Sequence, residues 1–145
     1  MGSTDPGRAR GRSTVTAGPL VNIHLDTSFL IRALGARSAE SGVLRGWLTS
    51  GHTVVISTLA WGEFLCGPLE DRVQELARRI VRTQVPLGTD EAAAAARLFN
   101  DTGRRRGSFR DCIVAATAML AGAALATSDR RDFQRFVAAG LELTK

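Results

Sequence analysis

The chain has 145 residues and a formal charge of +5, with 44% hydrophobic and 23% charged residues, the balance of a single soluble globular domain. All but one of its basic residues are arginines, the exception being Lys145, so chemistries that need an internal lysine are excluded: a Walker A loop, a Schiff-base enzyme, a phospho-acceptor receiver domain. Basicity carried by arginine favours a polyanionic partner such as nucleic acid, because guanidinium pairs with phosphate in a fork.

Residues 1–19 hold four glycines, two prolines and arginines 8, 10 and 12 with no periodic apolar residue, and read as a disordered basic tail. A single domain over 20–145 is expected behind it. Leu20–Leu25 reads as a strand that stops at Asp26. Helical spacing follows over Ser28–Leu34 and Ala39–Leu48, broken at Gly35, and a second strand over Thr53–Ser57. Leu59–Cys66 is a short helix stopped by Gly67-Pro68, and residues 69–82 are a charged amphipathic helix. Gln84–Leu87 is a short strand placed at an edge by Pro86, and Thr89 or Asp90 caps an alanine-rich helix to Asp101. After the loop Gly103-Arg-Arg-Arg-Gly107 come a helix from Ser108 to Ala121, a strand over Ala123–Thr127, a helix over Asp129–Val137 and a last strand over Leu141–Leu143.

Apolar strands alternating with helices predict a three-layer α/β/α sandwich around a mostly parallel central sheet of four to five strands. In such sheets a site lies at the carboxyl ends of the strands, near the switch in strand order. The remaining residue types say less. Cys66 and Cys112 stand alone in apolar surroundings and read as buried, reduced thiols of a cytoplasmic protein. His24 and His52 are too isolated for a zinc site or a two-histidine ribonuclease. The uncharged run Cys112–Ser128 falls just short of a membrane span and is broken by Thr117 and Gly122, so no membrane association is expected.

Four acids interrupt or terminate apolar segments: Asp26 and Asp129 at strand ends, Glu63 in Leu59-Ala-Trp-Gly-Glu-Phe-Leu65, and Asp111 before Cys112-Ile-Val-Ala-Ala116. Taken singly, Asp26 and Asp129 could cap the helices that follow, and Ser108-Phe-Arg-Asp111 fits a capping box. Glu63 resists that reading. A carboxylate flanked by core residues must be paired or metal-bound, and its own helix offers no base. Brought together, four carboxylates repel one another, and a divalent cation is their natural counter-charge. Oxygen ligands select magnesium or manganese over zinc. Such a metal beside arginines suits phosphodiester hydrolysis.

The segments Leu25-Asp26-Thr27-Ser28, Ser57-Thr-Leu-Ala-Trp-Gly-Glu63, Asp111-Cys-Ile-Val-Ala-Ala-Thr-Ala118 and Ala126-Thr-Ser-Asp129-Arg-Arg-Asp-Phe133 occur in this order. Together they resemble the PIN domain, and in particular the VapC-type toxins of bacterial toxin–antitoxin pairs, over residues 22–144. The resemblance implies a Mg2+-dependent endoribonuclease, with Mn2+ as a substitute, acting on tRNA or rRNA as a homodimer neutralised by a cognate antitoxin. It implies that Asp26, Glu63, Asp111 and Asp129 are the catalytic, metal-holding acids, with Asp132 as an additional ligand. Thr27, Ser28 and Thr127 match hydroxyl positions that orient carboxylates or water.

Arg104, Arg105, Arg106 and Arg110 precede Asp111 and are the expected phosphate contacts, with Arg130 and Arg131 next. Glu75 and Arg79 are spaced as a surface pair worth about 0.3–0.5 kcal/mol. A non-catalytic PIN-like module that binds RNA or protein is the competing reading, and the full acidic set argues against it. A haloacid-dehalogenase-like phosphatase would need an aspartate at the position held by Ser28.

Overall fold

The apolar run Asn22–Leu25 forms β1, the centre of a five-stranded sheet in which every pairing is parallel. A computed structural model describes residues 19–145, so nearly all of the expected basic tail lies outside the described residues. The chain runs β1, α1 (Thr27–Ala33), α2 (Ala39–Thr49), β2 (Thr53–Ser57), α3 (Thr58–Leu65), α4 (Asp71–Ile80), β3 (Gln84–Val85) and α5 (Thr89–Asp101). It continues through α6 (Phe109–Leu120), β4 (Ala124–Ala126), α7 (Arg130–Phe133), a 3₁₀ turn over Gln134–Ala139, and β5 (Glu142–Leu143).

Strand order is β3-β2-β1-β4-β5. The chain therefore builds outward from β1 to one edge, then returns to build outward on the other side. Right-handed crossovers put the helices of the two excursions on opposite faces. The packing agrees. Ile23, Leu25, Val54 and Ile56 join Phe29, Leu30 and Phe64 in one buried cluster, while Leu125 joins Ala95, Val114, Phe133 and Phe136 in another. The three-layer sandwich is thus a doubly wound parallel sheet whose switch in direction lies between β1 and β4.

The inner strands are covered on both faces, as β2 shows, where Val54, Val55, Ile56 and Ser57 are all buried. His24 alternates with Ile23 and Leu25 and stands between its register partners Val55 and Leu125. It is 3% exposed, and burial depresses its pKa to about 4.

Several boundaries differ from the sequence reading, each for a local reason. The strand expected over 84–87 stops at Val85, ahead of Pro86, and does lie at an edge. Neither Thr89 nor Asp90 caps α5; Gly88 is the cap residue, and its N–H donates to Glu91 Oε1 at 2.9 Å. The helix expected over 129–137 tightens into the 3₁₀ turn after Phe133 and ends at Gly140, whose φ of 114° favours glycine. Cys66 is exposed at the end of α3 rather than buried, because the chain turns away from the core there; Cys112 is buried as expected. Trp47 and Trp61 stack on Phe29 and Phe64 at the margin of the first cluster. Among the described residues no helix is long and apolar enough to cross a membrane.

Candidate active site

Parallel strands all present their carboxyl ends to one edge, and that edge gathers the acids. Asp26 follows β1 directly, and its N–H donates to Ala126 O of β4 at 2.8 Å, locking the two central strand ends together. Asp26 is 1% exposed, so its charge must be met by fixed partners. Thr127 Oγ1 and Ser28 Oγ donate to Oδ2 at 2.9 and 3.1 Å, and Arg110 Nη2 to Oδ1 at 2.8 Å. Although Asp26 sits at the cap position of α1, it makes no side-chain capping bond, nor does Asp129 before α7. The helix-cap alternative for these two acids therefore finds no support in the bonding.

Glu63 reaches the same place because α3 starts at once after β2, with Ser57 Oγ accepting from Ala60 N–H at the helix start. Thr27 Oγ1 lies 3.1 Å from Glu63 Oε1 and 2.9 Å from Ala60 O, tying α1 to α3. The partner that Glu63 lacks on its own helix comes from α6. Arg110 Nε stands 2.7 and 2.8 Å from the two Glu63 oxygens, and Nη2 also bonds Oε1. Arg110 Nη1 donates to Asp111 Oδ1 at 2.6 Å.

One guanidinium thus holds three carboxylates from three different elements. This differs from the expected role of Arg110 as a free phosphate contact: its side chain is 30% exposed and its donors are spent on acids. Burial alone would ease its proton off, but the bonds to Glu63 and Asp26 outweigh burial and hold it firmly charged. Burial likewise raises the carboxyl of Asp111 above the usual range, with Arg110 and Arg135 pulling the other way. The Ser108–Asp111 capping box does not form, since Ser108 Oγ donates to Arg105 O at 2.7 Å and caps nothing.

Asp129 stands exposed at the rim, its N–H on Thr127 Oγ1 at 3.0 Å, one hydroxyl from Asp26. Ser28 Oγ also accepts from Ser128 N–H at 3.0 Å, so both strand-end loops share one hydroxyl network. Asp132 is not gathered in. It is exposed and, with Arg105, Arg106, Gly107, Ser108, Asp111 and Arg135, lines a polar cleft of about 180 Å³ beside the acids. Arg104 is exposed and bonded to Asn100 through Nε at 3.1 Å, and Arg130 donates to Thr144 O at 2.7 Å. Two larger hollows of about 320 Å³ contain none of these acids.

The sequence reading missed Arg135, which approaches Asp111 at 3.7 Å while its guanidinium lies 4.4 Å over the Phe136 ring. It also missed Glu40, which accepts from Ser128 Oγ at 3.2 Å. Neither residue interrupts an apolar segment, so neither carries the signal that marked the quartet.

The donor set suits a hard divalent cation: carboxylate oxygens arrayed about a single positive centre. Among the described residues no three such side chains lie close enough to enclose an ion as they stand, and a guanidinium fills the space between them. Charge and ligand chemistry fit a metal; the side-chain positions are those of an arginine-bound state.

The PIN domain family model matches residues 23–138, which span all four acids. The chain belongs to the PIN domain family. Solved PIN-domain relatives share its fold at low identity. VapBC2 from Rickettsia felis, solved on a promoter DNA fragment, superposes with a TM-score of 0.68 at 16% identity, covering 85% of this chain and 97% of that one. FitAcB from Neisseria gonorrhoeae gives 0.62 at 22% identity over 85% and 96%. VapC20 from Mycobacterium tuberculosis, described as a toxin that cleaves the sarcin–ricin loop, gives 0.60 at 23% over 84% and 98%. No curated protein matches in sequence.

Proposed function

We propose that this PIN domain is a metal-dependent endoribonuclease, the toxin of a toxin–antitoxin pair, acting in the cytoplasm on tRNA or rRNA. The observation that carries the reading is the convergence of Asp26, Glu63 and Asp111 from three elements on one cation at the carboxyl edge of the sheet. Repelling charges are not collected in this way for stability, since an apolar core of the same volume would serve as well or better. Structural likeness to VapBC and FitAB proteins supports an antitoxin partner, and the VapC20 likeness supports RNA as substrate. A homodimer is proposed on the family resemblance.

Asp26, Glu63, Asp111 and Asp129 would hold Mg2+, or Mn2+ in its place. The metal, when bound, supplies a water of lowered pKa and neutralises charge developing on the phosphate. The protein's own part is positioning. Thr127 and Ser28 fix one oxygen of Asp26, Thr27 steadies Glu63, and the polar cleft beside Asp111 offers Arg105 and Arg106 to an approaching phosphate. Arginine cannot act as a general base near neutral pH, so these side chains bind and orient.

One observation favours the second reading, a non-catalytic RNA- or protein-binding module: a guanidinium lodged among the acids could be their permanent counter-ion. Incubating the full chain with total RNA in Mg2+ and in EDTA, beside an Asp26→Asn control, separates the two. Cleavage in Mg2+ alone, lost in the variant, supports the nuclease; RNA binding without cleavage in either condition selects the module.

A further inference from the structure

Arg110 is bonded to Glu63, Asp111 and Asp26, and among the described residues its one other side-chain polar contact is Thr27 Oγ1, at 3.5 Å. Its guanidinium lies where the carboxylate charges converge, and a cation that binds those carboxylates needs the same oxygens. An arginine side chain has four rotatable bonds, and this one is 30% exposed, so it can leave without unfolding α6. The neighbouring cleft sets Arg105, Arg106 and Arg135 against Asp111 and Asp132, a net positive lining that draws in a phosphate, and a phosphate there is a partner for a displaced guanidinium.

We infer that Arg110 is a built-in counter-ion that a divalent metal must displace from Asp26, Glu63 and Asp111, and that the displaced guanidinium is received by a phosphate of the nucleic acid. The inference rests on the reading of these acids as metal ligands. Its consequence is reciprocal coupling. Metal alone binds weakly because it must break the bonds of Arg110 to three carboxylates, and phosphate alone binds weakly because Arg110 is engaged by them. Each ligand removes the obstacle to the other, so metal and polyanion bind together. The protein would hold little metal until RNA arrives.

The test uses the full chain, Mn2+ followed by electron paramagnetic resonance, and an all-phosphorothioate oligoribonucleotide that resists hydrolysis, at one ionic strength. In the wild type a saturating oligonucleotide should tighten Mn2+ binding by a factor in the usual range of allosteric coupling, about 5–150-fold. Arg110→Ala should bind Mn2+ alone about tenfold more tightly or better, since no charge-assisted bonds are surrendered, and should show no coupling. Arg110→Lys keeps the charge but cannot bridge three carboxylates, and should fall between. If Arg110→Ala does not fold without metal, Arg110→Gln carries the same comparison. Mn2+ affinity unchanged or weakened in Arg110→Ala overturns displacement, and full coupling retained in that variant overturns transfer to phosphate. Tighter Mn2+ binding with no RNA cleavage under any condition supports the inference while removing the nuclease reading. Absence of Mn2+ binding in every variant overturns both.

Discussion

Thr127 Oγ1 donates to Asp26 Oδ2 at 2.9 Å, joining residues 101 positions apart across the two central strands. A hydrogen bond to a buried charge is worth about 1.5–3 kcal/mol. Thr127→Val keeps the shape and removes the donor, leaving Ser28 alone on that oxygen. It should lose stability in that range by urea denaturation and lower cleavage as well, whereas Thr127→Ser should retain both. Equal stability of the two variants would show that the bond orients nothing.

Asp111 separates a structural from a chemical role. Its capping bond is absent and its ion pairs are partly exposed, so Asp111→Ser should cost about 1 kcal/mol or less. Cleavage should nonetheless disappear. A variant that melts normally and still cuts RNA in Mg2+ would remove Asp111 from the metal-holding set.

His24 makes the fold acid-sensitive. Its pKa is about 4 when folded and near 6.5 when unfolded, so the unfolded chain takes up the proton first as pH falls. Stability is therefore full above pH 6.5 and declines between 6.5 and 4, by about 3 kcal/mol at the lower limit. His24→Val, between Val55 and Leu125, should flatten this slope in denaturation curves taken at pH 7 and pH 4.5. A slope unchanged by the substitution would assign the acid sensitivity to other groups.

The arginine loop should position RNA and do no chemistry. Arg104 is held by Asn100, so Arg105 and Arg106, at the cleft, carry most of the effect. Replacing both with alanine should raise KM and flatten its salt dependence, with a smaller fall in kcat, because such binding is shared by ground and transition states. Unaltered affinity across a salt titration would mark the loop as solvated surface.

The two thiols offer a direct check of packing. Cys66 is exposed, while Cys112 is buried with its thiol pKa pushed up by desolvation. A thiol reagent should label one cysteine in the native protein and both in denaturant.

The order of strands and helices was legible because apolar runs and their breaks are local. Asp26 and Asp129 were legible as strand-end acids for the same reason, and Glu63 because a carboxylate among core residues demands a partner. The identity of that partner was not. Arg110 lies 47 positions after Glu63, on a helix whose apolar spacing says nothing of the polar residues at its start. Adjacency to Asp111 suggested an arginine facing phosphate, whereas chain folding brought three acids to it instead. The exposure of Cys66 was not legible because its apolar neighbours suggest burial, whereas only Phe64 packs into the core and Leu65 is itself exposed. The cap of α5 was missed because Gly88 has no side chain to mark it, the bond coming backward from Glu91.

Because the sheet is wound outward from β1 twice, the site is divided between the beginning and the end of the chain. Asp26, Thr27, Ser28 and Glu63 leave the ribosome long before Arg110, Asp111, Thr127 and Asp129. A nascent chain with β1, β2 and β3 has two of the four acids but neither the guanidinium that neutralises them nor β4 to hold Asp26 in place. On the proposed reading of this edge as a nuclease site, a segment ending at β3 would carry two of the acids without an assembled centre, so the topology makes the site a late product of folding.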